Sequence, residues 1–309
     1  MIRRSALASI AALGLVLAAG VMPVRAAVPD PSDDPTHVAL STLHPLTSAA
    51  FGDLARVYGD RCHVAHEVTT PTHCTYGDRT ATIRVIVIGD SIAAQWWAAI
   101  DGAARRAGWR ITWMSKTACP AADVTVRSQG VRYTACDTWR RNVLTKIRGF
   151  ARADLVVMAG SSSSTLIRRS DGAVITDPAA AATEWGAGYR RTIDRLAGVA
   201  RRVVILRDTP SFASSIPSCV AAHSGWTSPC SRARSAAFSV SRWAAEMAVD
   251  AAYPWVRATD LGDWLCQPTR CWPVTSTHVL RYRDGHHLTN TYANVMAPAM
   301  YSRLRWLMR

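Results

Sequence analysis

A serine at position 91 follows Gly89 and Asp90 within "VIVIGDSIAAQWW", residues 85–97. The apolar run 84–88 suits a buried strand, and the Gly-Asp-Ser after it puts a small hinge and a hydroxyl where a helix begins. A serine hydroxyl is a weak nucleophile at neutral pH unless a base stands within hydrogen-bond reach. The stretch "YRDGHHLTNTYAN", residues 282–294, offers one, because Asp284 stands three residues before His287 at the mouth of a final helix. An imidazole there can take the Ser91 proton while Asp284 holds the ring through its other nitrogen. His286 is a neighbouring rival for the base. Spacing alone also allows a plainer reading, in which Asp284 caps the turn and both histidines are surface residues. If the three groups meet, the chemistry is acyl transfer through a serine ester, with the N–H groups of Ser91 and Ile92 at a helix N-terminus facing the oxyanion.

Those residues need a scaffold that brings distant stretches together. From residue 81 onward, strand-like runs at 84–88, 110–114, 154–158, 202–206 and 255–261 alternate with helical stretches. Such alternation predicts an α/β fold, a central and mainly parallel five-stranded sheet between helical layers. In open sheets of this kind, ligands gather beyond the carboxyl ends of the strands, where Ser91 lies. After Ser91, the positions Ile92, Trp96 and Ile100, with Ala93 and Trp97 beside them, give a helix one buried face. Thr289 or Asn290 can cap the last helix, with Tyr292, Val295 and Met296 inward and Pro298 kinking it.

Residues 81–309 therefore read as one catalytic domain, preceded by a loop-rich, disulfide-stapled extension over 51–80. Residues 27–50, rich in Pro, Asp, Ser and Thr, read as a flexible linker in which no core is expected. Residues 1–26 have a basic start, an apolar stretch from about 6 to 21 and a Val24-Arg25-Ala26 ending, the pattern of a secretory signal peptide. A retained anchor is the alternative, but the apolar stretch is shorter than the roughly 20 residues a span requires.

Cleavage removes Arg3, Arg4 and Arg25 and no acid, so the formal charge falls from +14 to +11. That field suits acidic envelope polymers or anionic surfaces. A genome rich in G and C explains the arginines equally well, and their scatter, together with export, speaks against nucleic acid as a partner. Eight cysteines fall in four local pairs, Cys62 with Cys74, Cys119 with Cys136, Cys219 with Cys230, and Cys266 with Cys271. In an oxidising compartment these read as disulfides between neighbours. The rival is zinc held by Cys62, His63, His66, His73 and Cys74.

"IGDSIAAQWW" with "YRDGHHLT" resembles the first and last blocks of the SGNH (GDSL-like) hydrolase superfamily. Together with "SKTACP", "LRDTPSFASSIPSCV" and "LCQPTRCW", these stretches are similar to the extracytoplasmic SGNH domain that follows the membrane part of acyltransferase-3 proteins. The resemblance spans about 62 to the C-terminus and implies a flavodoxin-like three-layer sandwich. It implies O-acylation, typically O-acetylation, of cell-envelope glycan or glycolipid, with no metal or other cofactor. Ser91 is then the nucleophile, His287 the base, Asp284 the orienting acid and Asp90 a structural neighbour. The family's Gly and Asn for the oxyanion hole have no match, since Ala159-Gly160-Ser161 stands where Gly-x-Asn-Asp is expected. Candidates to complete the hole with Ser91 are backbone or hydroxyl groups of Ser115, Lys116, Thr117, Gly160 and Ser161. Ile92 stands where relatives often carry His. A separate membrane acyltransferase or a soluble donor would supply the acyl group, unless the protein is a plain carboxylesterase or lipase-like hydrolase of esters, or a non-catalytic glycan-binding protein on the same fold. The tryptophans Trp96, Trp97, Trp226 and Trp272 offer either core packing or a sugar-stacking platform.

Overall fold

The computed structural model describes residues 34–308, so the expected signal peptide lies outside the described residues. The strands are β1 (His63–Val64), β2 (Cys74–Gly77), β3 (Ile83–Gly89), β4 (Trp109–Lys116), β5 (Val126–Ser128), β6 (Val131–Arg132), β7 (Ala153–Ala159), β8 (Thr165–Leu166), β9 (Ala200–Leu206), β10 (Arg232–Ala233), β11 (Val256–Thr259) and β12 (Arg270–Cys271). The five expected strands are β3, β4, β7, β9 and β11. They pair in parallel in the order β4-β3-β7-β9-β11, the second, first, third, fourth and fifth of their set. That is the flavodoxin-like order. Its switch point falls at β3, whose end carries Ser91.

The sheet has seven strands rather than five. Both additions come from the 51–80 segment and line the outer edge of β4, β1 in parallel at Ser115 and Lys116 and β2 antiparallel from Arg110 to Trp113. A two-residue strand leaves no periodicity to read, and the Cys62–Cys74 disulfide fastens the pair. The other disulfides also join sequence neighbours: Cys119–Cys136, Cys219–Cys230 and Cys266–Cys271. Zinc is therefore excluded at Cys62 and Cys74, and His63, His66 and His73 have other partners.

The β3 side chains alternate between two cores. Val85 and Val87 pack with Ile92, Trp96, Ile100, Tyr292 and Met300 on one face. Ile86 and Ile88 pack with Trp139, Leu144, Tyr189 and Val249 on the other. Helices Trp97–Ala107 and Ala297–Leu307 cover the first face, and Thr134–Arg148, Pro178–Leu196 and Val240–Ala252 the second. Such double burial explains the unbroken apolar reading of the strands.

Residues 34–50 depart from the expected linker without a core. Val38, Leu43 and Ala50 are buried, and Asp34 forms an ion pair with Arg281 in which both side chains are fully enclosed. Asp34 and Arg281 are 247 positions apart, and Val38 donates its N–H to the distant Gly225 carbonyl, so neither contact leaves a local pattern. The last helix also differs. Thr289 caps it, but it stops at Val295, which is exposed, and Pro298 opens the following helix instead of kinking one.

Candidate active site

Gly89 ends β3 at φ +154°, where an added Cβ would collide with the Ala159 carbonyl. Glycine thus lets β3 and β7 approach while the chain turns sharply into helix Ser91–Gln95. Asp90 caps that helix. Its buried carboxylate accepts the Ile92 N–H at 2.8 Å through one oxygen and the Ser161 N–H at 2.8 Å through the other. Burial, working against those two hydrogen bonds, pushes the carboxyl up to about 6.

The other half of the site is the turn 283–287, closed by the Arg283 N–H on the His287 carbonyl. Asp284 Oδ1 accepts the backbone N–H groups of His286 (2.9 Å) and His287 (2.8 Å), and Oδ2 meets His287 Nδ1 at 2.7 Å. The opposite ring nitrogen, Nε2, lies 2.8 Å from Ser91 Oγ, across a sequence separation of 196. Burial opposes ionisation of Asp284, but the His287 hydrogen bond and charge, with the two backbone donors, outweigh it and hold the carboxyl well below its usual range. An ionised Asp284 can only accept, so Nδ1 carries the hydrogen and Nε2 presents its lone pair to the Ser91 hydroxyl. His286 makes no hydrogen bond to Ser91. Its carbonyl accepts from Thr209 Oγ1, and its ring lies against that of His287 with centroids 3.9 Å apart.

Sequence reasoning missed what fixes this turn. Gln95, one helical turn beyond Ser91 and 3% exposed, accepts the Leu288 N–H at 2.7 Å and donates to Thr209 Oγ1 at 3.2 Å. Thr209 Oγ1 in turn donates to the His286 carbonyl at 2.7 Å. Phe212 and Ile216 donate backbone N–H groups to the carbonyls of Gly285 and Asp284. From the N-terminal segment, Asp53 accepts the N–H groups of Asn290 and Thr291. A glutamine inside a short helix gives no sign that both its polar ends are spoken for.

Two of the oxyanion candidates point elsewhere. Ser115 Oγ is buried against His63 Nδ1 and Trp113 Nε1, both at 3.0 Å, and the Lys116 ammonium, brought down to about 8 by burial, is wrapped by the carbonyls of Ala65, His66 and Val68. These side chains anchor the 51–80 segment. Thr117 spends its N–H on Val64, and Ser161 spends its N–H on Asp90. Ile92, also proposed as an N–H donor, gives its hydrogen to Asp90. The N–H groups of Ser91 and Gly160 donate to no group among the described residues, which leaves them as backbone donors.

A buried arginine holds the backbone at Gly160 and Ser161. Arg242 donates to the carbonyls of Ser161 (2.9 Å) and Gly160 (3.1 Å), pairs with Glu246 at 2.8 Å and lies over the Trp185 ring. Asp208 fastens the next residue, accepting both the N–H and the hydroxyl of Ser162.

Beside Ser91 opens a groove of about 470 Å³. Its lining is rich in hydroxyls, including Thr117, Ser128, Ser161, Ser163 and Thr165, and its only rings are His286 and His287. The tryptophans stand apart. Trp96 is fully buried, Trp226 is exposed against His37, and neither Trp97 nor Trp272 reaches the groove.

A family model described as "SGNH domain (fused to AT3 domains)" matches residues 61–302. Among solved structures, the chain is similar to the periplasmic domain of a lipopolysaccharide acetyltransferase from Salmonella ser. Paratyphi A, at TM-score 0.51 and 11% identity over 74% of this chain and 85% of that one. A putative acylhydrolase from Bacteroides fragilis aligns at TM-score 0.40 and 14% identity over 76% and 91% of the two chains. A carbohydrate esterase family 2 enzyme with a carbohydrate binding domain, from Corynascus thermopiles (Myceliophthora fergusii), aligns at 0.39 and 12% over 73% and 67%. No curated protein matches. With the family match covering most of its length, the chain belongs to the SGNH domains of the kind fused to AT3 domains.

Proposed function

We propose that this protein is an exported serine acyl-transfer enzyme that adds or removes acyl groups, acetyl foremost, on cell-envelope carbohydrate. The observation that carries this reading is the hydrogen-bonded line from Ser91 Oγ through His287 to Asp284. Ser91 attacks the carbonyl carbon of the donor ester while His287 Nε2 takes the hydroxyl proton, and Asp284 stabilises the imidazolium. The N–H groups of Ser91 and Gly160 face the tetrahedral oxyanion. Collapse expels the donor's alcohol or thiol, which receives the proton from His287, and leaves an ester on Ser91. An acceptor hydroxyl, or water, then gives its proton to His287 and attacks that ester, and His287 returns the proton to Ser91 Oγ as the acylated acceptor or the free acid departs.

Hydroxyl-bearing residues along the groove, Thr117, Ser128, Ser161, Ser163 and Thr165 among them, support a sugar as the ligand, since each can exchange hydrogen bonds with it. Four disulfides among the described residues support an oxidising, extracytoplasmic setting. No helix among the described residues is long and apolar enough to cross a membrane. We assign acyl delivery to a membrane acyltransferase partner, on the strength of the family's description as fused to AT3 domains.

A fluorophosphonate probe tests the nucleophile directly. Labelling at Ser91 in the folded protein at neutral pH is expected, and absence of labelling overturns the enzymatic reading. Turnover of an aryl acetate with and without a glycan then separates transfer from hydrolysis, because only transfer yields acetylated glycan.

A further inference from the structure

One wall of the Ser91 groove comes from β5 and β8, which belong to a three-stranded antiparallel sheet in the order β6-β5-β8. β5 and β6 are joined through Gln129 and Gly130 alone, both at positive φ (51° and 81°), a tight two-residue hairpin turn. Arg127 on β5 lines the groove, and its Nε donates to the Gly130 carbonyl at 2.7 Å. That bond fixes the guanidinium to the turn and leaves its terminal nitrogens without a partner among the described residues.

The surrounding charges are arranged differently. Arg132 pairs with Asp137, Arg168 with Asp171, and Arg140, Arg169 and Arg191 share Asp123. Arg127 makes no ion pair among the described residues, and no carboxylate lines the groove. A planar fork held by its own turn, in a hydroxyl-lined groove without acid, is complementary to one chemistry. The hydroxyls match a sugar, and the fork matches an oxyanion carried by that sugar.

We infer that the groove selects an anionic carbohydrate, one bearing a carboxylate or a phosphoryl group, and that Arg127 is the residue that reads the charge. This rests on the acyl-transfer reading for its biological sense, but binding can be measured without chemistry. The test uses full-length Ser91→Ala protein and calorimetric titration with cellobiose, cellobiouronic acid and cellobiose 6-phosphate. At least one anionic disaccharide binds more tightly than cellobiose by about tenfold or more, as a charge-assisted pair allows; which one separates a carboxylate from a phosphoryl ligand. Arg127→Ala removes that preference, Arg127→Lys keeps part of it, and Arg132→Ala keeps it whole. In the Ser91→Ala protein the preference also shrinks as salt rises.

Equal binding of the three sugars, or a preference that survives Arg127→Ala, overturns the inference. So does inorganic phosphate binding as tightly as the preferred sugar, which marks an anion site with no carbohydrate. Failure of the fluorophosphonate to label Ser91 while the sugar preference persists would sink the acyl reading and leave Arg127 standing.

Discussion

Gln95 Oε1 accepts the backbone N–H of Leu288 at 2.7 Å, so the helix that carries Ser91 also holds the turn that carries His287. The contact works as a strut. Replacing it with Gln95→Leu leaves a buried N–H unpaired, which costs about 1–3 kcal/mol of stability. The larger effect is expected in rate, because a small misplacement of the imidazole lowers kcat on an aryl acetate by roughly 10- to 100-fold with KM near wild type. Steady-state kinetics beside a thermal melt check this. A KM rise with kcat intact would assign Gln95 to substrate contact instead.

Ser91→Ala and His287→Ala each reduce kcat by roughly three to six orders of magnitude, and the double variant adds little beyond either, because the two side chains act as one unit. Asp284→Asn is severe as well. Asparagine keeps an oxygen for the His286 and His287 N–H groups, but an amide NH2 replaces the Oδ2 that accepts from His287 Nδ1, which favours the wrong imidazole tautomer. Single-turnover acetylation followed by mass spectrometry reads all three, and near-additive losses in the double variant would count against a shared proton path.

His63 packs beside the site, its ring 4.5 Å from that of Tyr58 and its Nε2 3.2 Å from Thr117 Oγ1. Burial first, then the repulsion a protonated His63 would meet from His287 when that ring is charged and from Arg283 and Lys116, bring it down to about 3. Between that value and its ordinary one near 6.5, the unfolded chain binds a proton that the folded chain refuses. Stability from this group is therefore complete above the unfolded value and declines as pH falls toward 3, at most by roughly 1.4 kcal/mol per pH unit. Histidine-ring NMR should show His63 neutral and unmoving from pH 8 to pH 5. A ring that titrates in that range refutes the assignment.

The Cys62–Cys74 bridge holds β1 and β2 against β4, next to the His63 that packs beside the site. Replacing both cysteines by serine removes a short-loop cross-link worth roughly 3 kcal/mol. Activity should fall at temperatures well below the main unfolding transition, as the 51–80 segment loosens first. Hydrogen exchange locates the change. Uniform loss of protection, with no earlier opening of β1, would show that the segment is no separate unit.

Several features follow from local chemistry and were legible in the residue order. The apolar run 84–88 ending in Gly-Asp-Ser fixes a buried strand that must turn into a helix. The Asp284-x-x-His287 spacing allows one carboxylate to bind both the turn's backbone and the ring. Short cysteine separations favour neighbour disulfides through loop entropy. The seven-strand count, the burial of Val38 and Leu43, and the roles of Gln95, Arg242 and Asp208 were not legible. Each depends on partners far away in sequence, and a single buried glutamine or arginine leaves no periodic trace. Ser115 and Lys116 mark the same boundary, since their place after β4 was readable but the direction of their side chains, toward the N-terminal segment, was not. Sequence alone thus determined which groups are chemically able to act and the elements they sit on. Tertiary structure decided which of them meet, because hydrogen bonds form over about 3 Å whatever the number of residues between donor and acceptor.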